Sequence, residues 1–177
     1  DLGGTIKFKF NALAEVIEVN YEENLVKTSY DEWGNKIRFE DPSNGIYEYE
    51  YNGFMGAISR IISPKGEKTY TYNILGQLEV QKESSKTDRT TDKTVVLTYN
   101  NKGLLTGRTG VSMGKSYNSG ITYDSYGRML SAFEFSNDKY FIKKGIVYDN
   151  LTRIISYEKE LHSSGLITKV SIENEYD

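Results

Sequence analysis

The stretch Tyr123-Asp124-Ser125-Tyr126-Gly127-Arg128-Met129 is the unit on which this chain is built. It has the pattern of a strand end, a tight turn and a strand start. Asp or Asn at the first position of a type I turn accepts a backbone hydrogen bond, and Gly at the last position adopts a left-handed conformation. The Tyr before the turn is typical of strands, where its ring packs across the sheet. The stretch therefore predicts a β-hairpin with a bulge beside the turn.

The same pattern recurs along the whole chain. Four copies match the pattern fully. Their first and last turn residues are Asp31 and Gly34, Asn73 and Gly76, Asn100 and Gly103, and Asp124 and Gly127. Degraded copies start at Phe10, Tyr51, Tyr148 and Tyr176. The eight copies begin at positions 10, 30, 51, 72, 99, 123, 148 and 176, so the interval is 20 to 28 residues. A near-constant spacing in this range indicates a repeat architecture.

Length and composition exclude several protein classes. At 177 residues, a single domain over 1–177 is expected, and we interpret the chain as a segment of a longer one. The absence of Cys excludes disulfides and thiolate metal sites. A net charge of −3 argues against nucleic acid as a partner, and no apolar run is long enough to predict a membrane span.

Alternating apolar and polar residues predict about 15 strands and no helix. Pro42 and Pro64 fall in turns between the repeats, where a missing N–H costs no sheet hydrogen bond. Residues 84–93 are predicted to be a solvated loop, 107–116 the least regular stretch, and Gly145 lies within a predicted strand. The predicted fold is an all-β antiparallel meander, in one strongly curved sheet or partial shell, since a flat sheet of so many strands curls or splits.

Serial Tyr-Asp-x-x-Gly units with Pro-x-Gly turns between them resemble the YD repeats of the RHS family, from Phe10 to Asp177. Related repeats occur in bacterial wall-associated proteins, insecticidal toxin-complex shells and teneurins. The resemblance implies consecutive hairpins that coil into a hollow shell, an extracytoplasmic location and, for some members, carbohydrate binding. This chain has too few repeats to close such a shell and lacks both a toxin domain and the self-cleaving stretch, so encapsulation and self-cleavage are not expected.

The function predicted first is a non-catalytic structural repeat module of a bacterial secreted or cell-surface RHS-like protein, without a cofactor or metal. Its expected partners are neighbouring repeats or domains of the same chain. The alternative is a carbohydrate-binding module that uses an aromatic sheet face to bind polysaccharide. Its candidate ligand contacts are Trp33, Tyr47, Tyr49, Tyr70 and Tyr126.

Two interpretations compete at the aromatic positions. Trp33 occupies a turn position that is usually large and apolar, so we favour a ridge in which it packs near Leu13 and Phe54 over an exposed ring that stacks on a sugar. The tyrosine ladder of residues 47–51, 70 and 72 is likewise expected to form a buried sheet face rather than a binding platform.

No catalytic group is expected from the sequence. Glu48 and Glu50 alternate with the tyrosines, which places them on the opposite, solvent-facing side of the strand. His162 lies in a predicted turn. With one His and no Cys, the chain is not expected to contain a zinc site or a nucleophile activated by His. We predict that the chain is not an enzyme.

Overall fold

The computed structural model describes residues 4–53 and 55–176. These residues form fifteen β-strands and one 3-10 helix at Arg89–Thr91. The strands are β1 (Ile6–Phe10), β2 (Val16–Tyr21), β3 (Asn24–Tyr30), β4 (Lys36–Asp41), β5 (Gly45–Tyr51), β6 (Ile58–Ser63), β7 (Gly66–Tyr72), β8 (Leu78–Ser85), β9 (Lys93–Tyr99), β10 (Leu105–Ser112), β11 (Lys115–Tyr123), β12 (Met129–Ser136), β13 (Lys139–Tyr148), β14 (Ile154–Ser163) and β15 (Leu166–Glu173).

All fifteen strands lie in one open sheet in chain order, and each pairs antiparallel with its neighbours. This confirms the predicted all-β meander. The predicted strong curvature and partial shell stay predictions.

Two kinds of turn alternate along the meander. Each repeat turn leads from an odd-numbered strand to the next even-numbered one, and the register shifts beside it, as between Ser29 and Tyr30 and between Thr122 and Tyr123. The shift is the predicted bulge. Most connections from even to odd strands are short, and in the 137–138 turn both residues have positive φ, which defines a type I′ hairpin.

The chain divides into two compact units. The first comprises Asp1–Gln77 and Gln81–Arg89, and the second Leu78–Val80 and Thr90–Asp177. The prediction of a single domain over 1–177 stays a prediction, because two units within one sheet neither confirm nor contradict it.

Few side chains are fully buried. Among the described residues, Ile146 is the one buried hydrophobic side chain and Glu160 the one buried charged side chain, each 6% exposed. Most strand positions are half-buried, including the tyrosines at 47–51, 70 and 72. The sheet is therefore held by cross-strand contacts and hydrogen bonds rather than by a conventional core.

One local expectation was wrong, and the structure adds detail to two others. Residues 107–116 form a regular hairpin of β10 and β11 around Met113 and Gly114, whose positive φ values suit a tight turn. Gly145 lies within β13 but has a φ of 60° at a break in the register, so it is a bulge residue rather than an ordinary strand residue. The loop after β8 contains the 3-10 helix.

Candidate functional site

The first residue of each repeat turn closes the turn with two sets of hydrogen bonds, one from its backbone and one from its side chain. In the copy at 123–129, Gly127 N–H donates to the Asp124 carbonyl (3.1 Å), and Asp124 N–H donates to the Arg128 carbonyl (2.9 Å). The Asp124 Oδ1 atom then accepts from the backbone N–H groups of Tyr126 and Arg128, both at 2.9 Å. The first of these side-chain bonds was predicted, and the second extends the Asp124 contact across the whole turn.

The same pair of side-chain bonds recurs at Asn11, Asp31, Asn73, Asn100, Asp124 and Asp149. The predicted structural turn residues are therefore placed as expected. Positive φ at the last turn position is also confirmed, with values of 77° to 84° at Gly34, Gly76, Gly103 and Gly127.

A further bond joins the first and fifth residues of five turns, and their side chains are chemically complementary. Where the first residue is Asn, the fifth is an acceptor, as in Asn11 Nδ2 to Glu15 (2.6 Å) and Asn73 Nδ2 to Gln77 (3.1 Å). Where it is Asp, the fifth is a donor: Asn35 Nδ2 (3.0 Å), Arg128 Nε (2.7 Å) or Arg153 Nε (2.7 Å). This complementarity is visible in the sequence as a four-residue spacing, but only the structure shows its purpose.

These bonds lower the pKa of three turn aspartates. Partial desolvation raises the pKa of Asp124 and Asp149, but hydrogen bonds from the following Arg and from backbone N–H groups outweigh it, so each pKa lies below its ordinary value. The pKa of Asp31 is lowered in the same way, against desolvation, by hydrogen bonds from the side chain and backbone of Asn35 and from Trp33 N–H.

The repeat tyrosine links each repeat to the one before it. In the first unit, Tyr30 Oη donates to the Val16 carbonyl at 3.1 Å, and Val16 is the first residue of β2. The other six repeat tyrosines do the same, at 2.7 to 2.9 Å, to the first residues of β4, β6, β8, β10, β12 and β14. We call these seven contacts the tyrosine links.

The tyrosine links explain why the repeat uses Tyr rather than Phe. The sequence indicated only that an aromatic residue packs in a strand, and nothing in the pattern reveals an acceptor 14 to 22 residues earlier. Phe10, in the first and degraded copy, has no hydroxyl and cannot make such a link.

In the second unit, Arg residues strengthen two of the links. Arg128 binds Asp124 and also lies over the Tyr148 ring, with 4.7 Å between the guanidinium carbon and the ring centroid. Arg153 binds Asp149 and lies 4.4 Å over the Tyr176 ring. Each Arg thus joins its own turn to the tyrosine of the next repeat through a cation–π contact.

The expected ridge of packed turn side chains is not formed. Leu13, Trp33, Leu75, Tyr126 and Leu151 are 69% to 84% exposed, with Trp33 at 83%. The predicted packing of Trp33 is therefore wrong, because the ring projects from the turn into solvent. Its expected neighbour Phe54 lies outside the described residues.

Trp33 instead borders a cleft in the first unit, with a volume of about 550 Å³. We call it the Trp33 cleft. Its lining combines aromatic, aliphatic and amide groups and includes Asp31, Trp33, Asn35, Ile37, Tyr49 and Tyr51. The Tyr51 hydroxyl is engaged by its link to the Lys36 carbonyl. Desolvation raises the Tyr51 pKa, with the nearby Asp31 charge adding to it.

A smaller cleft of about 190 Å³ shares Tyr49 with the first and also contains Phe39 and Tyr47. Lys36 Nζ lies 4.8 Å over the Tyr49 ring and 5.2 Å over the Phe39 ring. A cation thus already covers one aromatic face, which disfavours a cationic ligand at this position.

The structure brings only part of the predicted ligand set together. Trp33 and Tyr49 line one cleft, and Tyr47 and Tyr49 line the other. Tyr70 belongs to β7 and borders neither cleft, and Tyr126 is an exposed turn residue of the second unit.

Several charged residues of the strands lie in ion pairs. Glu48 and Glu50 each lie opposite an Arg in the register and bind it: Glu48 to Arg38 at 2.7 Å and Glu50 to Arg60 at 3.1 Å. His162 lies on β14, not in a turn as predicted, 3.3 Å from Glu160.

In the part of the chain that the structure describes, no cluster of His, Asp or Glu is arranged to hold a metal ion. Within the same residues, no helix has the length and apolar character to cross a bilayer.

Comparison with known proteins yields structural likeness without sequence likeness. No family model and no curated protein sequence matches the chain. Its fold resembles the crystal structures of TcdB2-TccC3-Cdc42, with a TM-score of 0.56 and 15% identity over 96% of this chain, and of TcdB2-TccC3 without its hypervariable C-terminal region, with 0.56 and 14% over 95%. It also resembles the Photorhabdus luminescens Tc holotoxin pore, with a TM-score of 0.51 and 14% identity over 95% of this chain.

The chain spans only 12% to 13% of the length of these similar structures. At such low identity the likeness extends to the fold alone. It agrees with the toxin-complex proteins to which the repeat motif pointed, and the chain resembles a part of these Tc toxin structures in fold.

Proposed function

We propose that the chain is a non-catalytic structural repeat module of a bacterial secreted or cell-surface RHS-like protein. The tyrosine links carry the proposal, because each ties one repeat to the preceding one. Links between nearest neighbours are what a repeat array needs in order to propagate its structure.

The chain's surface supports the same proposal. Large apolar side chains are exposed at turns and on terminal strands, including Phe8 at 56%, Ile74 at 95% and Leu166 at 74%. Exposed apolar groups of this kind are typical of surfaces that neighbouring repeats or domains cover. The carboxylates of Glu48 and Glu50 are neutralised by Arg, which favours a structural role for them.

Hydrogen exchange of a link variant tests the proposal. Tyr72→Phe removes the bond to the Ile58 carbonyl while keeping the ring. We expect faster amide exchange in the hairpins of β5, β6 and β7 and unchanged exchange in β1 and β2, because coupling acts between neighbouring repeats. Uniform loss of protection, or none, would contradict nearest-neighbour linkage.

The second candidate function is carbohydrate binding at the Trp33 cleft. It is favoured by the exposed Trp33 ring beside a cleft that also contains Tyr49 and amide groups. A pocket with aromatic walls and a few polar groups is the usual form of a small-ligand site.

Because Trp33 is the only Trp, its fluorescence reports on this site without interference. The structural proposal predicts no saturable response to a panel of neutral and acidic oligosaccharides. A saturable response that survives Tyr126→Ala would promote the second candidate. Tyr126 is the matched control because it is 84% exposed but lies outside the cleft.

A further inference from the structure

Lys143 and Lys159 depart from the charge pattern of the sheet, because they face each other across β13 and β14. In the strand pairs from β1 to β7 and from β9 to β15, every other facing pair of charged residues combines opposite signs, as Lys144 and Glu158 do. Like charges at directly facing positions destabilise a sheet. The two lysines therefore reduce stability unless a group of opposite charge compensates for them.

The described part of the chain supplies no such group. Neither Lys143 nor Lys159 forms an ion pair with a carboxylate that the structure describes, although both side chains are half-buried. On the other face of the same strands, Lys144 Nζ lies 2.7 Å from the Glu160 carboxylate. The positive charge is thus neutralised on one face and left uncompensated on the other.

Both ammonium groups lie against one aromatic ring. Lys143 Nζ is 4.0 Å and Lys159 Nζ is 5.4 Å from the centroid of the Tyr157 ring. The ring attracts both cations but carries no net charge. The Tyr157 hydroxyl makes no hydrogen bond to a described residue and can donate one. Two positive charges and a hydroxyl donor on one patch are complementary to a doubly charged oxyanion.

The backbone opposite Tyr157 is irregular. The register of β13 and β14 skips at Gly145 and Ile146, which together lie opposite Tyr157. A Cβ added at Gly145 would meet nothing within 4 Å, so the surface is open at this point. Bulges frequently redirect side chains next to functional sites.

A cleft of about 310 Å³ lies next to the lysine pair, and Glu134, Ser136, Asn137, Lys139 and Phe141 line it. Phe141 is 37% exposed and precedes Lys143 by two positions in β13, which places both side chains on the same face of the sheet. One acidic and one basic residue balance the formal charge of the cleft. Its aromatic, hydroxyl and amide groups suit the uncharged part of a ligand.

We propose that Lys143, Lys159 and Tyr157 bind the phosphate group of a small organic phosphomonoester, whose uncharged part lies in the adjacent cleft. The phosphate of a monoester carries close to two negative charges at neutral pH, which the two lysines neutralise, whereas a carboxylate carries only one. Because the site is partly exposed, binding weakens as the ionic strength rises.

Titration with phenyl phosphate, followed by NMR of the backbone amides at low ionic strength, tests the proposal. We expect saturable shifts in β13 and β14 around Lys143 and Lys159, and Lys159→Gln should weaken binding about tenfold because one charge-assisted contact is lost. Lys7→Gln is the matched control and should leave the affinity unchanged. It also removes one lysine charge, from an exposed strand position in the first unit that has no ion pair with a described residue.

Two further probes separate the parts of the ligand. Inorganic phosphate should shift the same amides but bind more weakly than phenyl phosphate, because it makes no contact in the cleft. Phenol should not shift them, because it carries no charge. Saturable binding of phenol at the same amides, or equal weakening by Lys159→Gln and Lys7→Gln, would overturn the proposal.

Urea unfolding supplies an independent measurement. Phenyl phosphate should raise the midpoint of the unchanged chain more than sodium chloride of the same ionic strength does, because a ligand of the folded state stabilises it. In Lys159→Glu the facing charges have opposite signs, so its midpoint should be higher without phosphate and should no longer respond to it. If sodium chloride has the same effect as phenyl phosphate, the lysine pair is merely screened and the proposed site does not exist.

Discussion

Two consecutive turns of the second unit differ at one decisive position. Asp124–Arg128 and Asp149–Arg153 share the first and last residues, and their Asp–Arg bonds are both 2.7 Å. The backbone bond from the fourth residue to the first is 3.1 Å in each. Yet the fourth residue is Gly127 in one, with a φ of 84°, and Thr152 in the other, with a φ of 67°.

A β-branched residue in the left-handed region is strained, and Thr152 nevertheless keeps the turn geometry intact. The Asp149 side chain accepts hydrogen bonds from two backbone N–H groups and from Arg153 in that turn, and these bonds help to hold the conformation. Gly at the fourth position therefore lowers the cost of the turn, whereas the hydrogen-bonded Asp determines its shape.

Gly127→Val should cost about 2 kcal/mol of unfolding free energy, because a β-branched residue is forced to a positive φ. Its Cβ would also lie 3.3 Å from Leu104 Cδ1. Urea unfolding followed by circular dichroism measures the loss. Gly53→Val is the control, since no positive φ is required there and the added Cβ would meet nothing within 4 Å.

The position of Gly145 within a predicted strand had implied that Gly145→Val would be a neutral comparison for Gly127→Val. The structure shows that it is not. Its φ of 60° means that Gly145→Val should also destabilise the chain. If Gly127→Val costs no more than Gly53→Val, the left-handed turn is not what selects glycine.

Tyr148→Phe should cost about 1 kcal/mol, because it removes a hydrogen bond of 2.8 Å to the Met129 carbonyl and leaves the ring in place. The same unfolding measurement applies. Tyr157→Phe should be nearly neutral, since the Tyr157 ring lies near Lys143 and Lys159 and its hydroxyl has no hydrogen bond to a described residue. Equal effects of the two changes would show that the hydroxyl contributes nothing.

Thr152→Gly should stabilise the chain by about 0.5–1 kcal/mol, because relief of the left-handed strain exceeds the added chain entropy of glycine. The variant makes the two turns alike at the fourth position. Thr152→Ala is the informative control, since it retains a Cβ and should recover less. A loss of stability in Thr152→Gly would mean that Thr152 has a favourable contact that offsets its strain.

The free energy of unfolding should fall slightly in acid, because the aspartates of these two turns become protonated. Asp124 and Asp149 have lowered pKa values in the folded state, so their contribution is complete above the unfolded value of about 4 and is lost as pH falls through the folded values. Hydrogen bonds from Lys144, Lys169 and His162 lower the pKa of Glu160 from 4.5 to about 2, so its contribution to stability is lost only as the pH falls toward 2.

Urea midpoints between pH 6 and pH 2 measure this dependence. The Asp149→Asn variant should show a shallower decline than the unchanged chain, since Asn cannot titrate. An identical slope would assign the acid sensitivity to other carboxylates.

Much of the fold could be predicted from sequence because the repeat is local. Asp or Asn followed three residues later by Gly specifies a turn within five residues, and alternation assigns the flanking strand faces. That information gave the strand number, the antiparallel order and the positive φ at four glycines, all of which were confirmed. Periodicity failed at the Gly145 bulge, which has no composition signal, and in 107–116, where several glycines suggested irregularity but a regular hairpin forms.

The candidate site depends on contacts between residues that are far apart in the sequence. The burial expected at Trp33 assumed that equivalent turns pack on one another, but the ring is solvent-exposed and borders a cleft made with Tyr49. Neither outcome follows from the turn motif, because whether a projecting side chain is covered depends on what lies beside it in space.

The sequence by itself thus determined the hairpin unit, its repetition and the polarity of each strand, since these depend on turn chemistry and on contacts within a few residues. The assembled sheet decides which carbonyl each repeat tyrosine binds and which aromatic rings remain exposed. These features depend on atoms that are brought together from 14 to 22 residues apart or from neighbouring strands, and the register that aligns them is set by the assembled sheet.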